Sequence, residues 1–462
     1  MSELAAINGA IPPYPIRGRR VTVVGFGQSG ASAARALALG GAHVTLSDAS
    51  ECPAARERMS ELQGLGVRMA LGGHHPGAFE GAGLIVVSPG VPETLAPLRA
   101  ARDRGIPLIG EVELAASLIT VPILAVTGTN GKTTTTSLLA HILKSAGRRV
   151  FVGGNIGTPL VEAATVTGGM DAVVAEISSF QLDTTHLFRP AVSVLLNITE
   201  DHLDRYADMA AYAASKARIF HNQLEKDIAV VNGDDTLSRS VSQGIRPRRW
   251  LYGSEAASDE GAVLEGLVLA LNTPGRRGQQ IDLSGLQLPG RHNLENAAAA
   301  CLAAVAFGVA PADVEASLSG FEGLAHRMRP VGTIGQVLFV NDSKATNVDA
   351  VQRAIEAFDR PLVLIMGGRD KGGVFERLVG PVKRRVRTLI LLGEAGEVIG
   401  RALGRIVPAR VARDMDDAVE MALAAALPGD TVLLSPGCAS FDMFTSYKHR
   451  GDCFIEAVRK RM

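Results

Sequence analysis

Six consecutive residues, Gly128-Thr129-Asn130-Gly131-Lys132-Thr133, carry the sharpest chemical signal in the sequence. They lie between an apolar run, Val121 to Thr127, and a helical pattern from about Thr133 to Ala146 that Gly147 stops. Backbone N–H groups in such a loop can wrap phosphate oxygens, and the helix N-terminus adds a positive dipole end. Lys132 would neutralise the outer phosphates and Thr133 would ligate magnesium. The strict pattern wants a glycine where Val126 stands. Acidic residues follow: Glu176 at the end of an apolar strand, then Glu200-Asp201-His202-Leu203-Asp204. Phosphoryl transfer needs magnesium, usually held through one or two carboxylates. An uncompensated charge at the end of a buried strand is costly, so Glu176 is a candidate ligand. His202 by itself reads equally as a ligand or as a packed ring.

A second glycine loop, Gly25-Phe26-Gly27-Gln28-Ser29-Gly30, follows the strand Val21–Val24, and Asp48 ends the next strand. This matches the dinucleotide fingerprint, in which the acid meets a ribose hydroxyl. The alternatives are a tight turn without ligand, or a nucleotide or phosphate site of another kind. Three further polar loops are Asn341–Asn347, Gly367–Gly373 and Ser435–Ser440. Each follows a predicted strand, and Lys and Asp recur among them. That suits an anionic substrate, although surface loops would carry the same residue types.

These loops need strands and helices to position them. Three blocks each open on a β-type apolar run and then alternate strand and helix patterns, which predicts right-handed βαβ crossovers and mostly parallel sheets. The expected architecture is α/β in three domains. A Rossmann-like domain spans 1–110, a P-loop ATPase-like domain 111–323, and a second Rossmann-like domain 324–462. In open α/β sheets, ligands gather beyond the carboxyl ends of the strands, where most of these motifs fall. The 462 residues suffice for about three domains. Lys plus Arg number 47 and Asp plus Glu number 47, which argues against nucleic-acid or membrane partners. Cys52, Cys301, Cys438 and Cys453 are far apart, so reduced thiols and a cytosolic setting are expected. Ile11-Pro12-Pro13-Tyr14-Pro15 reads as a loose leader, and the alanine-rich run Ala297–Phe307 as a buried helix too short to span a bilayer.

Taken together, the motifs resemble the Mur ligases of peptidoglycan synthesis from about Arg20 onward. The Gly-Thr-Asn-Gly-Lys-Thr loop is the form shared by that superfamily and the folylpolyglutamate synthases, which accounts for Val126. Ser88–Pro92, Glu176–Leu182, Asn197–Tyr206 and Asn341–Asn347 look like the D-glutamate-adding branch. The resemblance implies ATP, magnesium, UDP-N-acetylmuramoyl-L-alanine and D-glutamate as ligands, and a monomer is expected. It places ATP on Gly128, Thr129, Asn130, Gly131, Lys132, Thr133 and Thr134, with adenine and ribose near Asn293, Asn296, Arg327 and Asp342. Lys344 and Thr346 would lie beside the nucleotide. Magnesium would meet Thr133, Glu176, His202 and Lys216, the last matching a lysine that the family carbamylates. Lys132, Glu176, His202 and Lys216 are thus the implied catalytic set. The UDP substrate would contact Gln28, Ser29, Gly30, Asp48, Gly90, Asn155 and His202. Some members follow the acid with Thr-Arg, whereas Asp48 is followed by Ala49-Ser50. The amino acid would meet Thr346, Lys371, Ser440, Phe441 and Tyr447. Two other classes compete. A nicotinamide oxidoreductase leaves the second loop and the acidic train unexplained, and a non-catalytic nucleotide sensor would bind ATP without amine-dependent phosphate release. Another Mur ligase, or an amino acid ligase like the folylpolyglutamate synthases, is the nearer rival.

Overall fold

The structure, a computed structural model, describes residues 14–51, 56–92, 94–166, 169–202, 205–254, 260–286, 288 and 290–462. Cys52, Leu203, Asp204 and the leader up to Pro13 lie outside the described residues. The first sheet has the order β3-β2-β1-β4-β5 and is parallel throughout. Its strands are β1 (Arg20–Val24), β2 (His43–Ser47), β3 (Arg68–Ala70), β4 (Leu84–Val87) and β5 (Leu108–Gly110).

The second sheet contains β6 (Ile123–Thr127), β7 (Val150–Gly154), β8 (Ala172–Glu176), β9 (Val192–Leu195), β10 (Ile228–Asn232), β11 (Arg248–Gly253), β12 (Gly261–Glu265), β13 (Val268–Asn272) and β14 (Gln280–Asp282). Its order is β14-β13-β12-β11-β10-β9-β6-β8-β7, parallel except where β13 meets β12 and β14. The third comprises β15 (Arg329–Ile334), β16 (Val337–Asn341), β17 (Leu362–Gly367), β18 (Val386–Leu392), β19 (Ala409–Ala412) and β20 (Thr431–Gly437). It runs β15-β16-β20-β17-β18-β19, with only the β15/β16 pair antiparallel.

The central strands are aliphatic along their whole length because both sheet faces are covered. ILAVT, AVVAE and VSVL in β6, β8 and β9 are buried at every position. β15 differs: none of its residues is fully buried, and it lies at a sheet edge. It lacks the apolar signature of a strand, which is why the sequence reading passes over it.

The helix Arg291–Ala306 packs on the helix Lys132–Ser145. Every residue from Ala297 to Ala304 is completely buried. Small side chains there let the two helices approach closely, and the leading turn delivers Asn293 and Asn296 to the phosphate loop. No described helix is long and apolar enough to cross a membrane. In each sheet the motif-bearing loops leave neighbouring strands. Gly25 and Ser88 follow β1 and β4, Gly128, Ile177 and Leu196 follow β6, β8 and β9, and Asp342, Gly368 and Cys438 follow β16, β17 and β20.

Candidate active site

The phosphate loop leaves β6 with Gly128 at φ +153° and reaches the helix through Gly131 at φ +87°. A Cβ on Gly131 would fall 2.1 Å from Asn296 Oδ1, so glycine is required by both conformation and space. No side chain caps the start of the helix Lys132–Ser145, which leaves its first amides for a ligand. The loop is held from behind. Asn197 accepts the Asn130 N–H at 2.8 Å and donates to Asn130 O at 3.1 Å. Thr129 Oγ1 accepts from the Thr199 amide at 3.0 Å and lies 3.2 Å from the Tyr212 hydroxyl. Lys132 Nζ donates to Gly128 O and Thr129 O, both at 2.8 Å. Burial pushes the pKa of Lys132 down, and the carboxylates of Glu176 and Asp201 push it back up.

Facing the loop is Glu176, buried at the end of β8. Its Oε1 accepts from Asn155 Nδ2 at 2.7 Å, while its buried Oε2 has no hydrogen-bond partner. Such an orphaned carboxylate oxygen is costly unless a cation or donor joins it, so the site fits a magnesium ion. Among the described residues no three His, Cys, Asp or Glu side chains could hold a metal by themselves. A ligand set here must therefore include other oxygens. His202, at φ 56°, packs edge-on to Phe180 with centroids 4.7 Å apart. Lys216 is buried, with Nζ donating to Gly128 O at 2.9 Å and lying 4.5 Å from the Tyr212 ring centre. Burial, then the neighbouring Lys132 charge, hold its pKa well below the ordinary lysine value. This favours the neutral, nucleophilic amine.

The third sheet supplies the cations. Arg327 donates to the Thr133 hydroxyl. Lys344 lies 4.2 Å from the centre of the Tyr447 ring, and burial followed by the Arg327 charge brings its pKa down to about 8. Burial raises Asp342 to about 7, and the Met328 amide and Ser435 hydroxyl each reach it at 3.2 Å. These residues meet the phosphate loop around a cavity of about 330 Å³. Its wall takes Thr129 to Thr134, Asn155, Glu176, His202, Asn293 and Asn296 from the second sheet's part of the chain, and Arg327, Asp342, Lys344, Thr346 and Lys371 from the third's. A smaller adjoining cavity shares His202, Thr346 and Lys371 and adds Glu200, Asp370 and Arg377.

Other expected residues stand apart. Gly128 and Lys216, bonded to each other, do not line the cavity. Ser440, Phe441 and Tyr447 line neither cavity. Ser440 is buried and Phe441 is exposed to solvent. The first glycine loop is also separate. Its Asp48 accepts from the Phe26 amide at 2.6 Å and the Ser50 amide at 2.8 Å, leaving one lone pair on each oxygen. Gln28 and Gly90 are exposed, Ser29 half-buried and Gly30 buried. Asn155, expected with this group, donates to Glu176 and lines the cavity.

Two residues that sequence reasoning missed organise the site. Tyr212 supports both Thr129 and Lys216, and its i,i+4 spacing from Lys216 on one helix was a legible clue. Arg450 is buried and donates to Ser343 O at 2.8 Å, Ser343 Oγ at 3.0 Å, Cys438 O at 3.1 Å and Gly367 O at 3.4 Å. One guanidinium thus ties together all three strand-end loops of the third sheet. Nothing in the local sequence marks it.

Family models match three segments: a Mur ligase MurD-like N-terminal domain over residues 19–110, a Mur ligase middle domain over 126–304, and a Mur ligase glutamate ligase domain over 326–438. The UDP-N-acetylmuramoylalanine–D-glutamate ligase of Desulfosudis oleivorans is 47% identical, covering 97% of this chain and 98% of the relative. That of Pelotomaculum thermopropionicum is 44% identical over 95% of this chain and 97% of the relative. Among solved structures, a pseudomurein peptide ligase type C from Methanothermus fervidus superposes with a TM-score of 0.62 at 19% identity, covering 96% of this chain and all of that one. The UDP-N-acetylmuramate–alanine ligase of Thermotoga maritima gives 0.59 at 19%, with the same coverage. At such identities these structures speak for the fold.

Proposed function

The chain belongs to the Mur ligase family, and on that premise we propose that it joins D-glutamate to UDP-N-acetylmuramoyl-L-alanine at the expense of ATP. The observation that carries this reading is the single cavity walled by a phosphate loop on one side and by Arg327, Lys344 and Lys371 on the other. A carboxylate is a poor electrophile at neutral pH. Transfer of the γ-phosphoryl group from ATP to the alanyl carboxylate makes an acyl phosphate, which the amine of D-glutamate attacks to form the amide and release phosphate. Lys132 neutralises charge on the moving phosphoryl group, and the free amides at the start of its helix hold the phosphates. Asn293, Asn296 and Asp342 take the adenosine end. Lys371 and Thr346 hold the incoming amino acid where the two cavities join. The first glycine loop, with Asp48, takes the UDP end in a domain spanning 1–110, ahead of domains spanning 111–323 and 324–462.

Thr133, Glu176 and His202 would hold magnesium, which screens phosphate charge when bound. Lys216 as a carbamate would supply one further anionic oxygen. Its depressed pKa supports this chemistry, because only the neutral amine adds carbon dioxide. Lys216→Ala should be inactive, with partial recovery in small carboxylates; no recovery would leave Lys216 as a prop for Gly128. The function itself is tested by phosphate release with UDP-N-acetylmuramoyl-L-alanine and a panel of amino acids. D-Glutamate should be fastest. Faster release with L-alanine, L-lysine or meso-diaminopimelate would assign the chain to another branch.

A further inference from the structure

The helix Val348–Glu356 opens the part of the chain that follows β16, yet its first turn is tied to the phosphate loop. Asp349, 9% exposed, accepts at a single oxygen from Asn130 Nδ2 at 2.7 Å, Thr199 Oγ1 at 3.3 Å and Arg353 Nε at 3.1 Å. Two residues before Asp349, Asn347 caps the same helix by accepting the Ala350 amide at 2.8 Å. Its Nδ2 donates to Asn130 Oδ1 at 3.4 Å and Asp201 Oδ2 at 3.2 Å. Both ends of the Asn130 amide are therefore held by one helix terminus, while the Asn130 backbone is held by Asn197. Asn130 precedes Gly131 and Lys132 in the loop. The gripping helix is also a wall of the cavity, through Ala350, Arg353 and Ala354.

We infer that Asp349 is a positioning residue that couples docking of the third sheet's domain to the conformation of the phosphate loop, acting through Asn130. The inference rests on the ligase reading of the cavity. When the helix docks, Asp349 and Asn347 fix the Asn130 side chain and with it the turn that presents Lys132. When it undocks, the loop loses both clamps and the cavity loses its wall together. Arg353 offsets the carboxylate charge, so an acid can sit 2.7 Å from the loop without placing an unbalanced anion beside the phosphates. A site of this kind aligns reacting groups rather than adding binding energy, so its loss falls on turnover.

The test uses the full-length chain and two readouts. Asp349→Ala should lower kcat about 30-fold while the KM for ATP moves less than threefold, because a small misplacement of a positioned group costs turnover first. Asp349→Asn keeps an acceptor for Asn130 Nδ2 and should stay within about threefold of wild type. In an Asn130→Ala background, Asp349→Ala should cost less than a further twofold, since the pair acts as one unit. Hydrogen exchange gives the second readout, free of any substrate. Peptides covering 128–134 should exchange about tenfold faster in Asp349→Ala, with the β8 core unchanged. An undiminished effect in the Asn130→Ala background, or unaltered exchange at 128–134, overturns the coupling. If wild type fails to release phosphate with D-glutamate, the functional reading falls, and the exchange result still decides the coupling.

Discussion

At Gly25–Gly30 and at Gly128–Thr133 a buried parallel strand turns into a helix through a loop that needs glycine at two positions, Gly25 and Gly30 in one and Gly128 and Gly131 in the other. The first loop is closed by its own sheet. Asp48 takes the Phe26 amide, Ser88 Oγ donates to Gly25 O at 3.3 Å, and a Cβ on Gly30 would lie 1.8 Å from Gly25 O. The second is closed by its own sheet, through Asn197 and Thr199 beyond β9, and also by visitors: Asn296 from a helix, and Arg327 and Asp349 from the third sheet's part of the chain. In both places the strand–loop–helix turn leaves the start of the helix without a side-chain cap. The chemistry differs because Lys216 and Arg327 reach the second loop in company with its own Lys132, whereas a carboxylate, Asp48, meets the first.

The sharpest way to break this contrast is Lys132→Ala. Removing the charge clamp should cut kcat roughly 10³-fold, about 4 kcal/mol of barrier. The melting temperature should hold, because the lysine's bonds are to its own loop. A variant keeping more than about a tenth of wild-type turnover would place the chemistry elsewhere. Lys371→Ala comes next. It should raise the KM for D-glutamate about 30-fold, the loss of one charge-assisted contact, and leave that for ATP within threefold. Steady-state kinetics with each substrate varied in turn separates the two. For the quieter loop, Asp48→Ala should raise the KM for the UDP substrate about tenfold, because a carboxylate–amide bond that shapes the loop is lost. The KM for ATP should not move, and measurable NADH binding to this loop would count against a uridine nucleotide.

Stability, not turnover, is at stake at the seam where the helix opened by Glu111 packs on the turn Leu160–Thr165. Glu111 accepts the Val161 amide at 2.6 Å through Oε1, while its buried Oε2 has no partner. Burial, the leading cause, raises its pKa to about 7. The folded value lies above the unfolded one, so the stability is fully present below about pH 4.5 and is lost as pH rises through about 7. The loss at pH 8 is about 3 kcal/mol. Glu111→Gln removes the titration. Its melting temperature should pull ahead of wild type by a few degrees between pH 5 and pH 8. A gap that does not change with pH would show that Glu111 stays charged in the fold.

Much of this was legible in the residues. The aliphatic runs of β1, β4, β6, β8 and β9 gave parallel strands, and the loops at their ends gave the candidate phosphate and carboxylate groups. Period and spacing carry that information locally. The edge hairpin of β15 and β16 was not legible in the same way, because β15 exposes most of its residues and is held by its partner. Nor were Arg450 and Asp349, whose partners lie 107 and 219 residues away for the Arg450–Ser343 and Asn130–Asp349 bonds. Contacts of that span leave no periodic trace. The absence of Ser440, Phe441 and Tyr447 from the cavity wall is also a matter of loop path, which residue type does not encode.

The alanine helix has a consequence for how this site could be altered. From Ala297 to Ala304 there is no exposed position to absorb a change and mostly methyl groups to fill the space. The helix works as a gauge block: its thinness sets how far Asn296 stands from Gly131. Adding volume along that stretch would push the helix outward as a rigid body, since packed interiors do not yield locally. The asparagines would then retreat from the loop without being touched. The least chemical segment of the chain therefore sets the dimension of its most chemical cavity.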